Sequence, residues 1–203
     1  MTSSDRWDDR YATSDFLWTD TVNQFVEREL GGLEPGSAID LGAGEGRNAV
    51  WLASQGWAVT AVDFSDVGLD KARRLAEQRG VALNFVAADV LTYVPKDKVD
   101  LVVLSYLQLP DAQQRQVLER AATWVKSGGT LLVVAHDKTN VTDGHGGPPT
   151  PDVCYSVDQT TAALGGLEIE RAEVVERVVE TPEGPKTALD TLVVARSPGE
   201  AGP

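Results

Sequence analysis

Three glycines that follow a carboxylate form the stretch of the sequence best suited to hold a ligand. Gly42, Gly44 and Gly46 come directly after an apolar run that ends at Asp40, and apolar residues at helical spacing come after them. This order predicts a strand, a tight turn and a helix. Glycine lets the backbone bend sharply, adopt positive φ and approach a ligand where a Cβ would collide. The stretch therefore predicts a loop for a nucleotide cofactor.

Two classes of cofactor fit such a loop. A dinucleotide site has the pattern G-x-G-x-x-G, but Arg47 stands where its third glycine would fall. Asp63 ends the next apolar run, and its carboxylate suits the hydroxyls of a ribose in either class. Asp40 would repel a pyrophosphate but attract an ammonium group, and Asp89, after a third predicted strand, suits an adenine amino group. These two carboxylates weigh against a dinucleotide.

Strands that alternate with helices would position these residues. The sequence predicts helices over 47–54, 65–79, 111–126 and 156–164, and strands over 37–40, 57–63, 83–87, 99–104, 130–135, 167–180 and 187–196. The alternation predicts a parallel, doubly wound α/β sheet, finished by an antiparallel pair joined through the turn-forming stretch 181–185. The loop 138–152, rich in glycine and proline, is longer than packing requires, which is typical of a functional or disordered segment.

Aromatic residues are scattered through the acidic segment 1–19. Trp7, Tyr11, Phe16 and Trp18 lie among aspartates, and so acidic a segment would be disordered unless its rings covered a groove. One interpretation is an arm or lid over a ligand, and the other is a set of rings that plug the edge of the core. Thr19 or Asp20 is then predicted to cap a helix that runs to Leu30.

Length and charge bound the possible functions. The 203 residues suffice for one buried core and predict a single domain over 1–203. The net charge of −13 argues against sequence-independent binding to DNA or RNA and against anionic membrane surfaces. One cysteine and the lack of an apolar leader predict a cytoplasmic protein. No apolar run reaches the ~20 residues of a membrane-spanning helix.

Five motifs in a fixed order resemble those of the class I S-adenosylmethionine-dependent methyltransferases. They are AIDLGAGEGRN (38–48), AVDFS (61–65), AAD (87–89), DLVVLSYLQLP (100–110) and WVKSGGTLLVV (124–134). The resemblance runs from about Trp7 to Arg196. The GRN after the loop and the N-terminal WDDRY are most similar to the small-molecule branch that contains tellurite-resistance and thiopurine-type methyltransferases. The resemblance implies a three-layer α/β/α, Rossmann-like fold with a seven-stranded sheet of order 3-2-1-4-5-7-6, in which strand 7 is antiparallel.

The resemblance also implies how S-adenosylmethionine, whose product is S-adenosylhomocysteine, would be held. The backbone of Gly42, Ala43 and Gly44 would hold its methionine part, with Asp40 at the ammonium group and Asp63 at the ribose hydroxyls. The other implied contacts are Trp7 and Tyr11 closing over the cofactor, Arg10 at its carboxylate, Phe64 against the adenine, Asp89 and Val90 at the adenine edge, Ser105 and Tyr106 beside the sulfonium, and Arg47 and Asn48 after the loop. No metal is expected. Within the domain, 1–30 is the expected arm and first helix, 37–135 the cofactor-binding core, and 136–196 the acceptor-side loop and closing hairpin.

The methyl acceptor is expected to be a small molecule, bound by a monomer or homodimer. A thiol or another soft nucleophile is favoured, since it is largely anionic near neutrality and needs no base. The alternative is O- or N-methylation of a small metabolite, which needs a base. His136, after the fifth strand, and His145, in the loop, are the only histidines and the candidate catalytic bases, together with Tyr106 after the fourth strand.

Two features leave other functions open. Thr142, Asp143 and residues 148–151 stand where tellurite-type members carry basic residues, which argues against an oxyanion substrate. The glycine loop and its acids would equally serve a non-catalytic module that binds S-adenosylmethionine. A dinucleotide oxidoreductase is a more distant alternative.

Overall fold

The structure, a computed structural model, describes residues 3–12 and 19–199, with side chains from residue 7 onward. Phe16 and Trp18, which the sequence analysis assigned to an arm or lid, lie outside the described residues. The chain divides into two compact units, residues 1–105 and 106–203. Among the described helices, none has the length and apolar character needed to cross a membrane.

The first unit alternates strands with helices. Its elements are α1 (Ser3–Tyr11), α2 (Gln24–Leu30), β1 (Ser37–Leu41), α3 (Arg47–Ser54), β2 (Ala58–Asp63), α4 (Asp66–Arg79), β3 (Asn84–Ala87) and β4 (Val99–Ser105). Strand β1 pairs in parallel with β2 and with β4, and β2 pairs in parallel with β3. All four strands therefore end at the same edge, where Asp40 lies near the end of β1 and Asp63 ends β2.

The second unit combines helices with three strands that pair antiparallel. Its elements are α5 (Asp111–Trp124), β5 (Val125–His136), α6 (Asn140–Asp143), a 3-10 turn (Pro151–Val153), α7 (Val157–Ala163), β6 (Glu168–Val179) and β7 (Lys186–Arg196). Strand β7 pairs antiparallel with both β5 and β6. The predicted hairpin is thus present.

The order of the seven strands is β3-β2-β1-β4-β5-β7-β6. With β7 antiparallel and helices flanking the sheet, this is the Rossmann-like fold found in methyltransferases, as the resemblance implied. The expectation of one domain over 1–203 stays a prediction.

Helix α2 begins later than predicted, so the prediction that Thr19 or Asp20 caps it was wrong. The helix starts at Gln24, and the side chain of Asn23 accepts hydrogen bonds from the N–H groups of Phe25 and Val26. Asn is as good an N-cap as Asp and better than Thr. The Asn23 backbone is itself fixed, because its N–H donates to Asn48 Oδ1 at 3.0 Å.

Strand β5 also begins earlier than predicted. The sequence analysis placed a turn at 127–129, but α5 ends at Trp124 and β5 starts at Val125. The segment continues the pairing with the end of β7, since the Gly128 N–H donates to Ser197 O and the Ser197 N–H donates to Gly129 O. These backbone partners keep the segment paired even though Gly128 has a φ of +74°, so local propensity alone would not predict a strand here.

Candidate functional site

The glycine loop uses its amide donors inside the protein. The N–H groups of Gly42 and Ala43 both donate to Val62 O, at 2.8 and 3.0 Å, and the N–H of Gly44 donates to Asp63 Oδ2 at 2.8 Å. A phosphate bound at such a loop would need free N–H groups. What the loop can offer a ligand is carbonyl oxygens, and these suit a cationic group better than a pyrophosphate.

Asp40 keeps one carboxylate oxygen unpartnered in the interior. The residue is 1% exposed, and its Oδ2 has no hydrogen-bond partner among the described residues. Burial raises the pKa of Asp40 to about 7. The N–H of Ala49 in the first turn of α3 and the charge of Arg47 oppose the rise in pKa, whereas the nearby Asp63 adds to the rise. Buried polar atoms are normally hydrogen-bonded, so the free oxygen marks a place for a donor, ideally a charged one.

Asp63 accepts hydrogen bonds on both oxygens and still has acceptor capacity. Its Oδ2 accepts from Gly44, and its Oδ1 accepts from the N–H of Ser65 at 2.9 Å. Burial raises its pKa, and the N–H groups of Ser65 and Gly44 counteract that rise. The N–H of Phe64 is a third backbone donor to this carboxylate. A carboxylate has about four lone-pair positions, so acceptor capacity remains for a ribose hydroxyl.

Helix α1 is attached beside the loop by two polar contacts. The Ser65 hydroxyl donates to Asp8, and the ammonium of Lys71 donates to the carbonyl of Tyr11, the last residue of the helix. The same ammonium pairs with Glu45 of the loop at 2.9 Å, and both side chains of that pair are buried. The loop, α4 and the end of α1 thus share one buried cation.

The Tyr11 ring lies directly over the loop. A Cβ on Gly44, whose φ is +53°, would be 2.6 Å from the Tyr11 hydroxyl oxygen. The Trp7 ring centroid is 5.7 Å from that of Tyr11, and the guanidinium of Arg10 lies 4.5 Å from the Trp7 ring. Burial raises the pKa of Tyr11, which keeps its hydroxyl neutral. The structure therefore brings Trp7, Arg10 and Tyr11 to the glycine loop.

The other predicted cofactor contacts fall into two groups. Three of them lie at the strand ends: Phe64 is half-buried after β2, Val90 is buried after β3, and Ser105 ends β4 with a buried hydroxyl that has no partner among the described residues. Two are engaged elsewhere: exposed Asp89 accepts from the Leu91 N–H at 2.8 Å, and buried Asn48 anchors Asn23. Asn48 therefore has a structural task in addition to any role toward a ligand.

A second polar cluster lies within residues 106–203. We call the four residues Tyr106, His136, Arg177 and Asp190 the Asp190 cluster. Asp190 is fully buried, and its Oδ2 accepts from the Tyr106 hydroxyl at 2.6 Å and from Arg177 Nε at 2.7 Å. Its Oδ1 lies 3.2 Å from His136 Nδ1, which is ion-pair distance at an angle outside hydrogen-bond geometry. Burial tends to raise the pKa of Asp190, but the contacts with His136, Arg177 and Tyr106 hold it below its ordinary value.

The two rings of the cluster are held in place by backbone. Tyr106 has φ of 54°, a strained value for a residue other than glycine, and its N–H donates to Val134 O at 2.7 Å. The ring centroids of Tyr106 and His136 are 4.9 Å apart. Gly147 covers the imidazole so closely that a Cβ there would lie 3.0 Å from the ring.

His145 does not join this cluster. The residue is exposed in the loop after α6, and no contact in the described part of the chain links it to His136. Of the three residues predicted for catalysis, the structure brings His136 and Tyr106 together and leaves His145 apart.

Sequence reasoning missed two members of the Asp190 cluster and the buried pair of Lys71 and Glu45. The available signal was an acid inside an apolar strand, since Asp190 interrupts the run from 188 to 195. Acids in such positions are rarely buried unless they are paired. No such signal exists for Arg177, which lies in a strand of alternating charges.

Comparisons with known proteins point to one class of domain. The family described as "Methyltransferase domain" matches residues 38–129, which contain the glycine loop, Asp63 and Asp89. The chain is 31% identical over 109 residues to the ribosomal RNA small subunit methyltransferase C of Alcanivorax borkumensis, covering 51% of this chain and 33% of that protein. It is 29% identical over 113 residues to the ubiquinone biosynthesis O-methyltransferase of Coxiella burnetii, covering 54% of this chain and 47% of that protein. The chain thus spans at most about half the length of these curated relatives.

Solved structures share the fold at low sequence identity. The N-methyltransferase NodS from Bradyrhizobium japonicum WM9, in complex with S-adenosylhomocysteine, is similar with a TM-score of 0.73 and 18% identity over 96% of this chain and 98% of that one. A structure from a study of the conversion of a disulfide bond into a thioacetal group during echinomycin biosynthesis has a TM-score of 0.77 and 18% identity, over 99% and 94% of the two chains. At these identities the similarity shows a shared fold.

Proposed function

We propose that this chain is a methyltransferase that transfers the methyl group of S-adenosylmethionine to a small molecule. The observation that carries the proposal is the buried Oδ2 of Asp40. It has no partner among the described residues, and it lies beside a loop whose Gly42, Ala43 and Gly44 N–H groups are already used. An ammonium group satisfies such an oxygen, whereas a pyrophosphate would be repelled by it. The family match over 38–129 supports the same cofactor.

Different residues at the strand ends would bind different parts of S-adenosylmethionine. Asp40 and the carbonyl groups of the loop would hold the ammonium end, and the spare acceptor positions of Asp63 would hold the ribose hydroxyls. Phe64 and Val90 would contact the adenine, and α1, through Trp7, Arg10 and Tyr11, would cover the bound cofactor. The further contacts that belong to this proposal are Ala43, Arg47, Asn48, Asp89, Ser105 and Tyr106.

For methyl transfer, the main task of the protein is to align the two reacting atoms. When bound, S-adenosylmethionine supplies a methyl group on a sulfonium, which leaves by in-line displacement. Holding the two reacting atoms in line supplies much of the acceleration, because it converts a bimolecular step into a unimolecular one. Loop backbone fixed by Val62 and Asp63 provides that rigidity on the cofactor side.

A small acceptor is favoured over RNA by charge. One relative named above acts on ribosomal RNA, but this chain carries a net charge of −13, and nonspecific RNA binding depends on cationic contacts to phosphate. The close approach of Tyr11, in the WDDRY segment, to Gly44 supports the branch similar to tellurite-resistance and thiopurine-type enzymes. We accordingly propose a cytoplasmic enzyme that does not act on nucleic acid or membranes.

Calorimetric titration of cofactor-free protein tests the cofactor assignment. The ligands are S-adenosylmethionine, S-adenosylhomocysteine and 5′-methylthioadenosine, which keeps the ribose and adenine but lacks the amino-acid part. Asp40→Asn is expected to weaken S-adenosylhomocysteine by about tenfold to a hundredfold, the worth of a hydrogen bond to a charged group. It should leave 5′-methylthioadenosine nearly unchanged, while Asp63→Ala should weaken all three ligands.

The control is Asp97→Asn, which changes an exposed aspartate in the segment before β4. Absence of binding by folded wild-type protein would overturn the proposal, as would binding of NADH in place of S-adenosylmethionine. Tight binding with no turnover across thiols, phenols and amines would favour the non-catalytic module.

A further inference from the structure

We infer that Asp190 positions His136 to take a proton from the methyl acceptor, and that the reacting group of the acceptor is therefore a hydroxyl. This inference rests on the proposed function and specifies its substrate class. It selects the O-methylation alternative over the thiol favoured by the sequence alone.

The orientation of the imidazole follows from the partners of Asp190. Its Oδ2 is occupied by Tyr106 and Arg177, so Oδ1 is left for His136 Nδ1 at 3.2 Å. An ionised carboxylate can only accept, so Nδ1 is the nitrogen that carries hydrogen in the neutral ring. The other nitrogen, Nε2, is then a proton acceptor, and no described residue bonds to it.

The strand register holds this pair in one geometry. His136 and Asp190 are directly opposite each other on β5 and β7, and Asp190 is opposite Val175 on β6, two residues before Arg177. The His136 side chain is 13% exposed and lies between the Tyr106 ring and the backbone of Gly147. A site on regular strands keeps its side chains closer to a productive geometry than a site on a loop does.

A purely structural ion pair would not require this arrangement. Arg177 and Tyr106 already satisfy Oδ2, and the charge of Arg177 already balances that of Asp190. His136 adds only a poorly aligned contact to Oδ1 in the neutral state. That contact strengthens when the ring becomes a cation, so it stabilises the protonated ring that proton transfer produces.

The chemistry of the step then favours a hydroxyl. A lone pair of the acceptor oxygen forms the bond to the methyl carbon, the carbon–sulfur bond breaks with its electron pair left on sulfur, and the hydroxyl proton moves to Nε2 of His136. A phenolic hydroxyl ionises near pH 10 and needs such a base, whereas a thiol with a pKa of about 8.5 needs little help. Arg177 stabilises negative charge that develops on oxygen and disfavours a cationic amine acceptor.

Nitrogen NMR of the two histidines tests the positioning directly and needs no acceptor. In the complex with S-adenosylhomocysteine, neutral His136 is expected to carry its hydrogen on Nδ1. Asp190→Asn is expected to reduce the fraction of neutral His136 rings that carry hydrogen on Nδ1, because an amide oxygen is a weaker acceptor than a carboxylate. Asp158→Asn, at an exposed site in the first turn of α7, should leave it unchanged. A predominant Nε2-protonated ring would overturn the inference.

Methyl transfer to phenol and to thiophenol supplies the second test. His136→Gln is expected to lower kcat on phenol by a hundredfold or more, the usual worth of a general base, with unchanged affinity for S-adenosylhomocysteine. Transfer to thiophenol should change by less than about threefold, because a thiophenol needs no base. Asp190→Asn should lower kcat on phenol with little change in KM, as expected for a residue that positions the base.

The outcomes separate this inference from the proposed function. Loss of cofactor binding in wild-type protein would remove the function, whereas the NMR result concerns His136 alone. Turnover of thiophenol without phenol, or phenol turnover that survives His136→Gln, would overturn the inference while leaving the methyltransferase intact. If neither compound is methylated, the tautomer of His136 decides.

Discussion

Among single residues, Asp40 stands out because its burial lowers the stability of the folded chain. Its carboxylate is buried, and one oxygen has no partner among the described residues. A buried carboxylate in this condition destabilises the folded chain when it is ionised. The residue thus makes sense as part of a binding site and not as part of the framework.

The pH dependence of unfolding tests whether ionised Asp40 destabilises the folded chain. Burial raises its pKa from 3.8 to about 7, so the folded state holds the proton to higher pH than the unfolded state does. The slope of stability with pH follows the difference in bound protons, so the ionised group lowers the stability of cofactor-free protein as pH rises from about 4 to 7. Asp40→Asn should remove that loss, with an upper limit of ~4 kcal/mol.

Urea unfolding at pH 4 and pH 8 measures the effect. The difference between Asp40→Asn and wild type should be small at pH 4 and large at pH 8, and Asp97→Asn should show no comparable gap. Equal stability of Asp40→Asn and wild type at pH 8 would mean that the carboxylate is not destabilising in the folded chain.

Some site residues could be predicted from the sequence and others could not. Asp40 and Asp63 were predictable because each ends a strand beside a glycine turn, a relation within a few dozen residues. Asp190 and Arg177 join Tyr106 only through strand pairing, across 84 and 71 positions of sequence. No short pattern encodes such a contact, so the Asp190 cluster emerged only from the structure.

At the element scale, α1 packs against the backbone of the glycine loop without an intervening side chain. Gly44 leaves the space in which the Tyr11 hydroxyl lies, and Lys71 ties the end of the helix to α4. The helix is short, and isolated helices of this length are unstable in water. Its order therefore depends on the loop beneath it.

Gly44→Ala should release α1. The new Cβ would meet the Tyr11 hydroxyl at 2.6 Å and would force alanine into a φ of +53°. Gly80→Ala is the matched control, because Gly80 has φ of +67° and open space around it. It should show only the ~1 kcal/mol or more that left-handed backbone costs alanine.

Hydrogen exchange across 3–12 separates the two effects. Protection of α1 should fall in Gly44→Ala and stay unchanged in Gly80→Ala, and Tyr11→Phe should partly restore the packing in the Gly44→Ala background. Equal loss of protection in both alanine variants would show that α1 does not depend on contact with Gly44.

Element boundaries were predictable where a local cap decided them. Helix α4 runs from a Ser65 cap to a Gly80 stop, as the sequence indicated, because both signals are local. The starts of α2 and β5 were not predictable. Helix α2 is capped by Asn23 and not by an earlier residue, and β5 includes two glycines because they bond to the segment after β7. Tertiary contacts set those two boundaries.

At the scale of the whole molecule, the net charge of −13 should act on the rate of cofactor binding. S-adenosylmethionine carries one more positive charge than S-adenosylhomocysteine. A negatively charged protein attracts the first and is nearly indifferent to the second, and salt screens this attraction beyond the Debye length.

Stopped-flow association measures the effect with one ligand as control for the other. Between about 20 and 300 mM salt, the association rate of S-adenosylmethionine should fall several-fold, while that of S-adenosylhomocysteine changes much less. An identical salt dependence for the two ligands would show that the acidity serves solubility alone.

The β6–β7 and β1–β4 pairings differ greatly in the length of chain between the paired residues. Strands β6 and β7 begin their pairing at Val179 and Lys186, across a short turn, whereas β1 and β4 join Leu41 to Leu104. Closing a longer segment costs more entropy before any contact forms, so local pairings precede distant ones in folding. The chain is therefore expected to form its closing hairpin early and to complete the strands that carry Asp40 and Ser105 late. The strand edge that carries Asp40 would then be completed only late in folding, although the loop's own bonds to Val62 and Asp63 close a much shorter segment.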